Sequence, residues 1–411
     1  MKMNKPISAL LALTLTLSVY ACSFAEDSTV TLAELKAQAP ERLQMTVTTN
    51  AGETVTVDAP VILPDANALP VLLCSCQRFE MAKANDAFYP NKQSRESTTY
   101  KQFASSDVTD EHPFLNIAKE STKYLLRGKT DTTERYALPM DETPPENDFT
   151  LEQAIELILH YNAEFGGNPD VDLRLNQAAA MSGLCRMTSQ KVTDASTGVN
   201  FGMIAADPSQ PVEGKEKGLW NISLAQYLHG VRVIDDTNSR YYSNDYWPSS
   251  PTGNESLVMD EDNFRMLLGY LQEERTLTDD SPLASWDAVE SSIRTLIEQD
   301  KLKSVYQVEL VYLVKPLRAD NETFLHGELT QDDPYNWSYA LVPVWEIKGW
   351  NLYDANAKYF ASGTAPDRET ILMNGVGQRY KPEDYVMRLN ADTAAPFEFE
   401  DKVYDGEVTA Q

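Results

Sequence analysis

Val305-Tyr-Gln-Val-Glu-Leu-Val-Tyr-Leu-Val314 is the most strongly patterned stretch of the chain. Valine and tyrosine dominate it, and neither glycine nor proline interrupts it, a composition suited to a pleated strand. Just upstream, Ser285 stands where a helix cap is expected, followed by Trp286, Val289, Ile293, Leu296 and Ile297 at helical spacing. Downstream, Tyr339-Ala-Leu-Val-Pro-Val-Trp-Glu-Ile347 reads as a second strand. Ile371-Leu-Met-Asn-Gly-Val-Gly-Gln378 reads as a third, closed by a turn. Trp345, set in an apolar strand, is expected in the core.

The same order occurs earlier. Thr150 can cap a helix, with Gln153 completing a capping box. Leu151, Ala154, Ile155, Ile158, Tyr161 and Phe165 then form one apolar stripe, which Gly166-Gly167 ends. Strands are expected around 172–180 and 221–234, the latter containing Tyr227-Leu-His-Gly-Val-Arg-Val233. Helix followed by strands, twice, predicts two divergent copies of one α+β module, over 150–255 and 256–390. Ahead of them, residues 26–137 form a small β-rich region. Within it, Ala39 to Asp58 reads as two strands around Asn50-Ala51-Gly52, and Pro70 to Cys76 as another. Residues 138–149, rich in proline and acid, read as a linker, and 391–411 as a frayed acidic tail. The expected fold is therefore α+β: a small β-rich N-terminal part, then two related helix-on-antiparallel-sheet modules.

Residues 1–25 have the order of a secretion signal. Lys2 and Lys5 precede an uncharged apolar run from Ile7 to Tyr20, and small residues follow at Ala21, Cys22, Ser23 and Ala25. The run is shorter than the ~20 apolar residues of a bilayer span. Ser23-Phe24-Ala25 offers a cut after Ala25. Val19-Tyr20-Ala21-Cys22 offers a lipobox, with Cys22 as the lipidated N-terminus, although Tyr20 departs from the small residue preferred there. The chain is thus expected outside the cytoplasm, lipid-anchored or secreted.

The net charge is −27, and loss of residues 1–21 removes Lys2 and Lys5 and no acid, bringing it to −29. Such a surface repels nucleic acid and anionic headgroups, leaving the Cys22 lipid as the expected membrane contact. Apart from Cys22, three cysteines remain, so at most one disulfide forms among Cys74, Cys76 and Cys185. In a strand Cys74 and Cys76 share a face, and both are expected to pack as small apolar side chains.

No catalytic signature is present. His112, His160, His229 and His326 are isolated, without a His-Glu-x-x-His motif, and no Gly-x-Ser-x-Gly elbow occurs. Gly375-Val-Gly377 lacks the third glycine of a phosphate cradle, so neither cofactor nor metal is expected. Acidic pairs are too common in this chain to single out a hydrolytic pair. One cluster invites a ligand: Arg240-Tyr-Tyr-Ser-Asn-Asp-Tyr-Trp-Pro248. Tyr241, Tyr242, Tyr246 and Trp247 could stack on a sugar ring or grip a peptide, or simply cover core at a strand end.

The exported N-terminus, the helix with paired strands, Leu341-Val-Pro-Val-Trp345 and Met373-Asn-Gly-Val376 together resemble uncharacterised exported lipoproteins of Gram-positive bacteria. More distantly the pattern is similar to YycH/YycI-type regulators and PepSY-like modules. That resemblance implies a non-enzymatic protein that binds a protein or peptide partner at the membrane surface and restrains a sensor. The chain departs from those regulators in having Cys22 or a cleaved end where they keep a spanning anchor. A glycan- or solute-binding lipoprotein using residues 240–247 is the alternative expectation.

Overall fold

Strand β14 (Ser304–Pro316) is the spine of the sheet and β15 (Ser338–Trp350) its main partner. A computed structural model describes residues 29–80, 83, 87, 115–118, 134–136, 147–181, 184–193, 200–211, 218–235, 255–262, 264–302, 304–317, 338–350, 386–397 and 404. The two long strands pair antiparallel from Ser304↔Trp350 to Pro316↔Tyr339. The other edge of β14 is shared by two parallel neighbours. Strand β2 (Thr54–Ile62) meets it at Val308↔Val61, and β10 (Val231–Ile234) meets it at Val233↔Tyr312. The far edge of β15 is shared as well, by β3 (Val71–Cys76) at one end and β16 (Val386–Asn390) at the other.

Further strands are β1 (Arg42–Thr48), β4 (Leu115–Ala118), β6 (Asp172–Met181), β9 (Leu219–Leu228), β11 (Glu255–Val258), β12 (Phe264–Leu268) and β13 (Leu271–Thr278). From the spine the sheet runs β13-β3-β15-β14-β10-β9-β11-β12-β4, with β1 added on β2, β16 on β15 and β6 on β9, thirteen strands among the described residues. A separate three-stranded sheet joins β5 (Glu134–Tyr136), β7 (Leu184–Thr193) and β8 (Asn200–Pro211). Three helices complete the described residues: α1 (Leu32–Gln38), α2 (Leu151–Glu164) and α3 (Trp286–Glu298). The fold is α+β, mostly strand, around one large mixed sheet.

Each long helix builds a core on this sheet. Helix α3 buries Trp286, Val289, Ile293, Leu296 and Ile297, the stripe read from its spacing. They pack on Leu43, Met45 and Val47 of β1, Val57 of β2, and the inner residues of β3, β14 and β15. Trp286 meets Trp345 edge-on, with centroids 5.8 Å apart, and Trp345 is fully buried. Helix α2 packs Ala154 and Ile158 against Ile222 and Leu224 of β9, Val258 of β11, and Phe264, Met266 and Leu268 of β12. Its capping box forms as expected, Thr150 Oγ1 accepting from Gln153 N and Gln153 Oε1 from Thr150 N. Gly166 ends it at φ 79°, a left-handed backbone that glycine adopts without strain.

Three expectations need correction. The β-rich N-terminal part does not stand apart: β2 pairs with β14, β3 with β13 and β15, and Leu43, Met45 and Val57 lie in the core of α3. Hairpin β1–β2 has one apolar face and cannot bury it alone, so it completes the second core. A boundary at 255/256 also fails, because β11 and β12 follow it in sequence yet pack under α2. Finally, the tail expected to fray from 391 is ordered at its start. Ala391 and Ala394 are buried in the α3 core, and Ala391 O accepts from Ala284 N at 2.7 Å. Helix α1, carrying the capping box Thr31–Glu34, was not anticipated within the β-rich region. The linker over 138–149 falls outside the described residues up to 146.

The two caps give a direct contrast. Ser285 sits at the N-cap of α3 without a side-chain cap bond, whereas Thr150 makes its bond. Thr150→Ala is expected to cost ~1 kcal/mol and Ser285→Ala less than ~0.5 kcal/mol. Ile293→Ala, which opens a cavity in the α3 core, should cost ~2–5 kcal/mol. Shifts of the urea unfolding midpoint check all three.

Candidate functional site

Strands β10, β14 and β15 alternate between two faces. Val231, Val233, Val308, Leu310, Tyr312, Trp345 and Ile347 point to the α3 core. Ile234, Val311, Leu313 and Val344 form a separate apolar cluster on the opposite face, here called the outer face. Arg232, Glu309 and Glu346 lie on that same face by the same alternation, and all three are nearly excluded from solvent.

Their positions follow from register. Glu309 and Glu346 are directly paired across the β14–β15 ladder. Like charges in directly opposed positions repel, and burial strengthens the repulsion. The parallel pairing of β10 with β14 brings Arg232 beside them. Arg232 Nε donates to both Glu309 carboxylate oxygens at 3.0 Å, and Nη2 donates to Glu309 Oε2 at 2.7 Å and to Glu346. Gln307 Nε2 adds a bond to Glu309 Oε2 at 2.7 Å, and Lys348 Nζ lies 3.7 Å from Glu346. Burial works against the guanidinium charge, but Glu346 and Glu309 outweigh it and raise the Arg232 pKa above its ordinary value. The result is a clamp over three strands, in which the carboxylates are taken up by fixed donors.

Around the clamp, the junction between the two cores is tied by polar side chains. Tyr227 pairs with Arg232 across the β9–β10 hairpin, and the Arg174 guanidinium lies 4.0 Å above its ring. The hairpin turns through His229 at φ 52° and Gly230 at φ 77°. A Cβ on Gly230 would stand 2.5 Å from the Asp65 carbonyl oxygen. His229 Nε2 lies 2.6 Å from Glu273 Oε2 on β13. Gln226, buried, imitates a strand: its Nε2 donates to Leu271 O at 2.6 Å while its Oε1 accepts from Leu271 N at 2.9 Å. Next to it the Tyr270 hydroxyl accepts from Asn168 N at 2.6 Å and donates to Asn162 Oδ1 at 2.9 Å. Burial pushes the Tyr270 phenol up to about 12.

Cys74 and Cys76 face inward together, both buried in the α3 core and both free thiols, as their two-residue spacing suggested. Burial, with Glu273 beside Cys74, raises both pKa values well beyond the ordinary thiol range. They are apolar fillers at neutral pH, not thiolates. His160 is exposed and lies 3.2 Å from Glu164 along α2. Among the described residues no three His, Cys, Asp or Glu side chains gather as a metal ion would need. Cys22, Tyr241, Tyr242, Tyr246, Trp247, His112 and His326 lie outside the described residues, and of Cys185 only the backbone in β7 is described. The clamp itself was missed by sequence reasoning. Its signal was there: Glu309, Glu346 and Arg232 are lone charges inside apolar strands, and buried charges need partners.

Arg232→Met leaves two opposed buried carboxylates and should destabilise the fold by ~3–5 kcal/mol. Adding Glu309→Leu and Glu346→Leu to it should restore most of that loss, since uncharged side chains need no clamp. Urea unfolding of the single and triple variants measures both effects. Tyr270 yields a pH test. Its folded pKa of about 12 exceeds the unfolded ~10, so its contribution is complete below pH ~10 and is lost as pH rises toward 12. Tyr270→Phe should cost ~1–2 kcal/mol at neutral pH, through Asn162 and Asn168, and that difference should shrink between pH ~10 and ~12.

No protein family matches this chain, and no curated protein matches it. Among solved structures, an uncharacterized protein from Eubacterium rectale aligns with it at a TM-score of 0.39 and 11% sequence identity, covering 91% of this chain and 96% of that one.

Proposed function

We propose that this chain is a non-enzymatic extracytoplasmic protein, anchored to the membrane surface through a lipid on Cys22, that binds a protein or peptide partner there. The observation that carries the reading is the order of residues 1–25: a basic start, a short apolar run and a small-residue exit containing Cys22. The acid excess supports a solvated envelope protein that avoids nucleic acid and anionic headgroups. Support for a non-catalytic role comes from chemistry already committed to packing. The thiols of Cys74 and Cys76 are kept protonated by burial, and the Glu309 and Glu346 carboxylates are held by Arg232. The resemblance to exported lipoproteins and YycH/YycI-type regulators makes a membrane sensor the favoured class of partner. In this reading the two helix-on-sheet halves are divergent copies of one module, each with a helix on its own stretch of the shared sheet.

A second reading rests on a different observation, the aromatic run over 241–247, which suits stacking on a sugar. Under it the chain is a glycan- or solute-binding lipoprotein.

Mass spectrometry of the membrane-bound form tests the anchor: a diacylated Cys22 N-terminus is expected, and a mature chain starting at Glu26 would overturn it. Crosslinking in intact cells tests the partner, with a membrane protein expected at near-equal amount. Repeated recovery of the chain alone, from several crosslinkers, would count against it. Replacing Tyr242, Tyr246 and Trp247 by alanine separates the readings, because lost glycan binding with an intact fold favours the second.

A further inference from the structure

Strand β6 pairs with β9 along one edge, and among the described residues no strand pairs with its other edge. Which of its backbone groups face that other edge follows from the β9–β10 hairpin. His229 and Gly230, both at positive φ, form a two-residue turn, so the flanking pair Leu228↔Val231 is hydrogen-bonded and Leu228 faces β10. Alternation then turns Tyr227, Ala225 and Ser223 toward β6, where their partners are Asp172, Arg174 and Gln177. Leu173, Leu175 and Ala178 therefore aim their N–H and C=O groups away from the sheet. The Leu173 amide agrees with this, since its bond runs outside the ladder, to Val171 O at 3.1 Å.

The side chains at these positions lie on the α2 face. Leu173 packs against the core under α2, and Leu175 and Ala178 are paired with Leu224 and Ile222, both buried in it. Leu175 is nevertheless 47% exposed, the most exposed large apolar side chain among the described residues. From Leu175 to Met181 the strand carries neither charge nor proline, and its one blocking device is the bulge between Leu175 and Gln177.

A row of outward donors and acceptors on an apolar rim is satisfied by another extended backbone. Charge selects which one. A second copy of a chain at −27 is repelled. Asp170 and Asp172 are exposed at the start of the strand, and Asp65 is near enough to act on Arg174. Arg174 is already taken up by Asp172 at 2.6 Å, so the local field is negative and suits a cationic strand.

We infer that the free edge of β6 over Leu173–Ala178 is a docking strand for a basic, extended segment of another protein, which adds to the sheet with its apolar side chains beside Leu175. The inference rests on the reading that this chain binds a protein or peptide partner, and it names where that partner docks and in what form.

The probe is a lysine–valine alternating peptide added to the purified full chain. Amides of Leu175 and Ala178 should then exchange about tenfold more slowly, while those of Asp172 and Arg174, already in the ladder, change little. The same peptide N-methylated at alternate residues, or with glutamate for lysine, should bind about tenfold more weakly. Ala178→Pro removes an outward N–H and spares the β6–β9 ladder, so it should abolish binding with unchanged near-ultraviolet dichroism. Leu175→Glu, at an exposed position, should weaken binding about tenfold and keeps the test decisive if the proline variant misfolds. No protection at Leu175 and Ala178, equal binding of the N-methylated peptide, or a dimer of the chain formed through β6 in ultracentrifugation would overturn the inference. Peptide binding is read without any cellular partner, so its failure is distinct from a failure to recover a partner by crosslinking.

Discussion

Two carboxylates directly opposed across an antiparallel ladder, both buried, stay ionised together only with a cation beside them; otherwise one must take up a proton. Glu309 and Glu346 are in that position, and Arg232 is the cation. Much else in the architecture follows from the need to bring Arg232 there. It arrives on β10, a strand of four residues inserted parallel to β14, and β10 is the link between the strands under α2 and those under α3. Register matters here more than affinity. A slip by one residue would turn Glu309 into the apolar core and Leu310 outward, so the clamp and the hydrophobic pattern specify the same pairing. Whether such a buried triad adds net stability over apolar residues is a separate matter from its specifying one arrangement.

The junction has a second layer of the same kind. Gln226 satisfies both backbone groups of Leu271, Tyr270 satisfies Asn162 and Asn168, and His229 reaches Glu273. These bonds sit where β13 lies beside the β9–β10 hairpin, and among the described residues no ladder pairs β13 with either strand. Polar side chains there take the place of strand pairing, and removing Gln226 or Tyr270 leaves a buried donor or acceptor unmatched. The two thiols fill the α3 core, and the buried carboxylates hold a guanidinium.

Local patterns were legible from sequence. Thr150 to Gly167 reads as a helix because its cap, stripe and stop agree, and Trp286 to Ile297 reads as one from its stripe. Val305–Val314 and Pro70–Cys76 read as strands because their composition admits little else. The facing of Cys74 and Cys76 follows from strand geometry alone. What sequence did not disclose is long-range. Nothing local in Thr54–Ile62 tells that it will lie parallel to β14, or that β3 will stand between β15 and β13. The division at 255/256 failed for the same reason, since β11 and β12 are assigned to α2 by cross-strand partners. The candidate site was partly visible as lone charges in apolar strands, but their meeting depends on a parallel insertion that no periodicity encodes. The aromatic residues 241, 242, 246 and 247 lie outside the described part of the fold.

The clamp is expected to make one cooperative unit of the two cores. Native-state hydrogen exchange under increasing denaturant, comparing amides of β9 and β12 with those of β14 and β15, addresses it most directly. In the native chain the two sets should reach one common opening free energy, and in Arg232→Met they should separate into two. Two distinct openings in the native chain, or a single shared one in the variant, would contradict it.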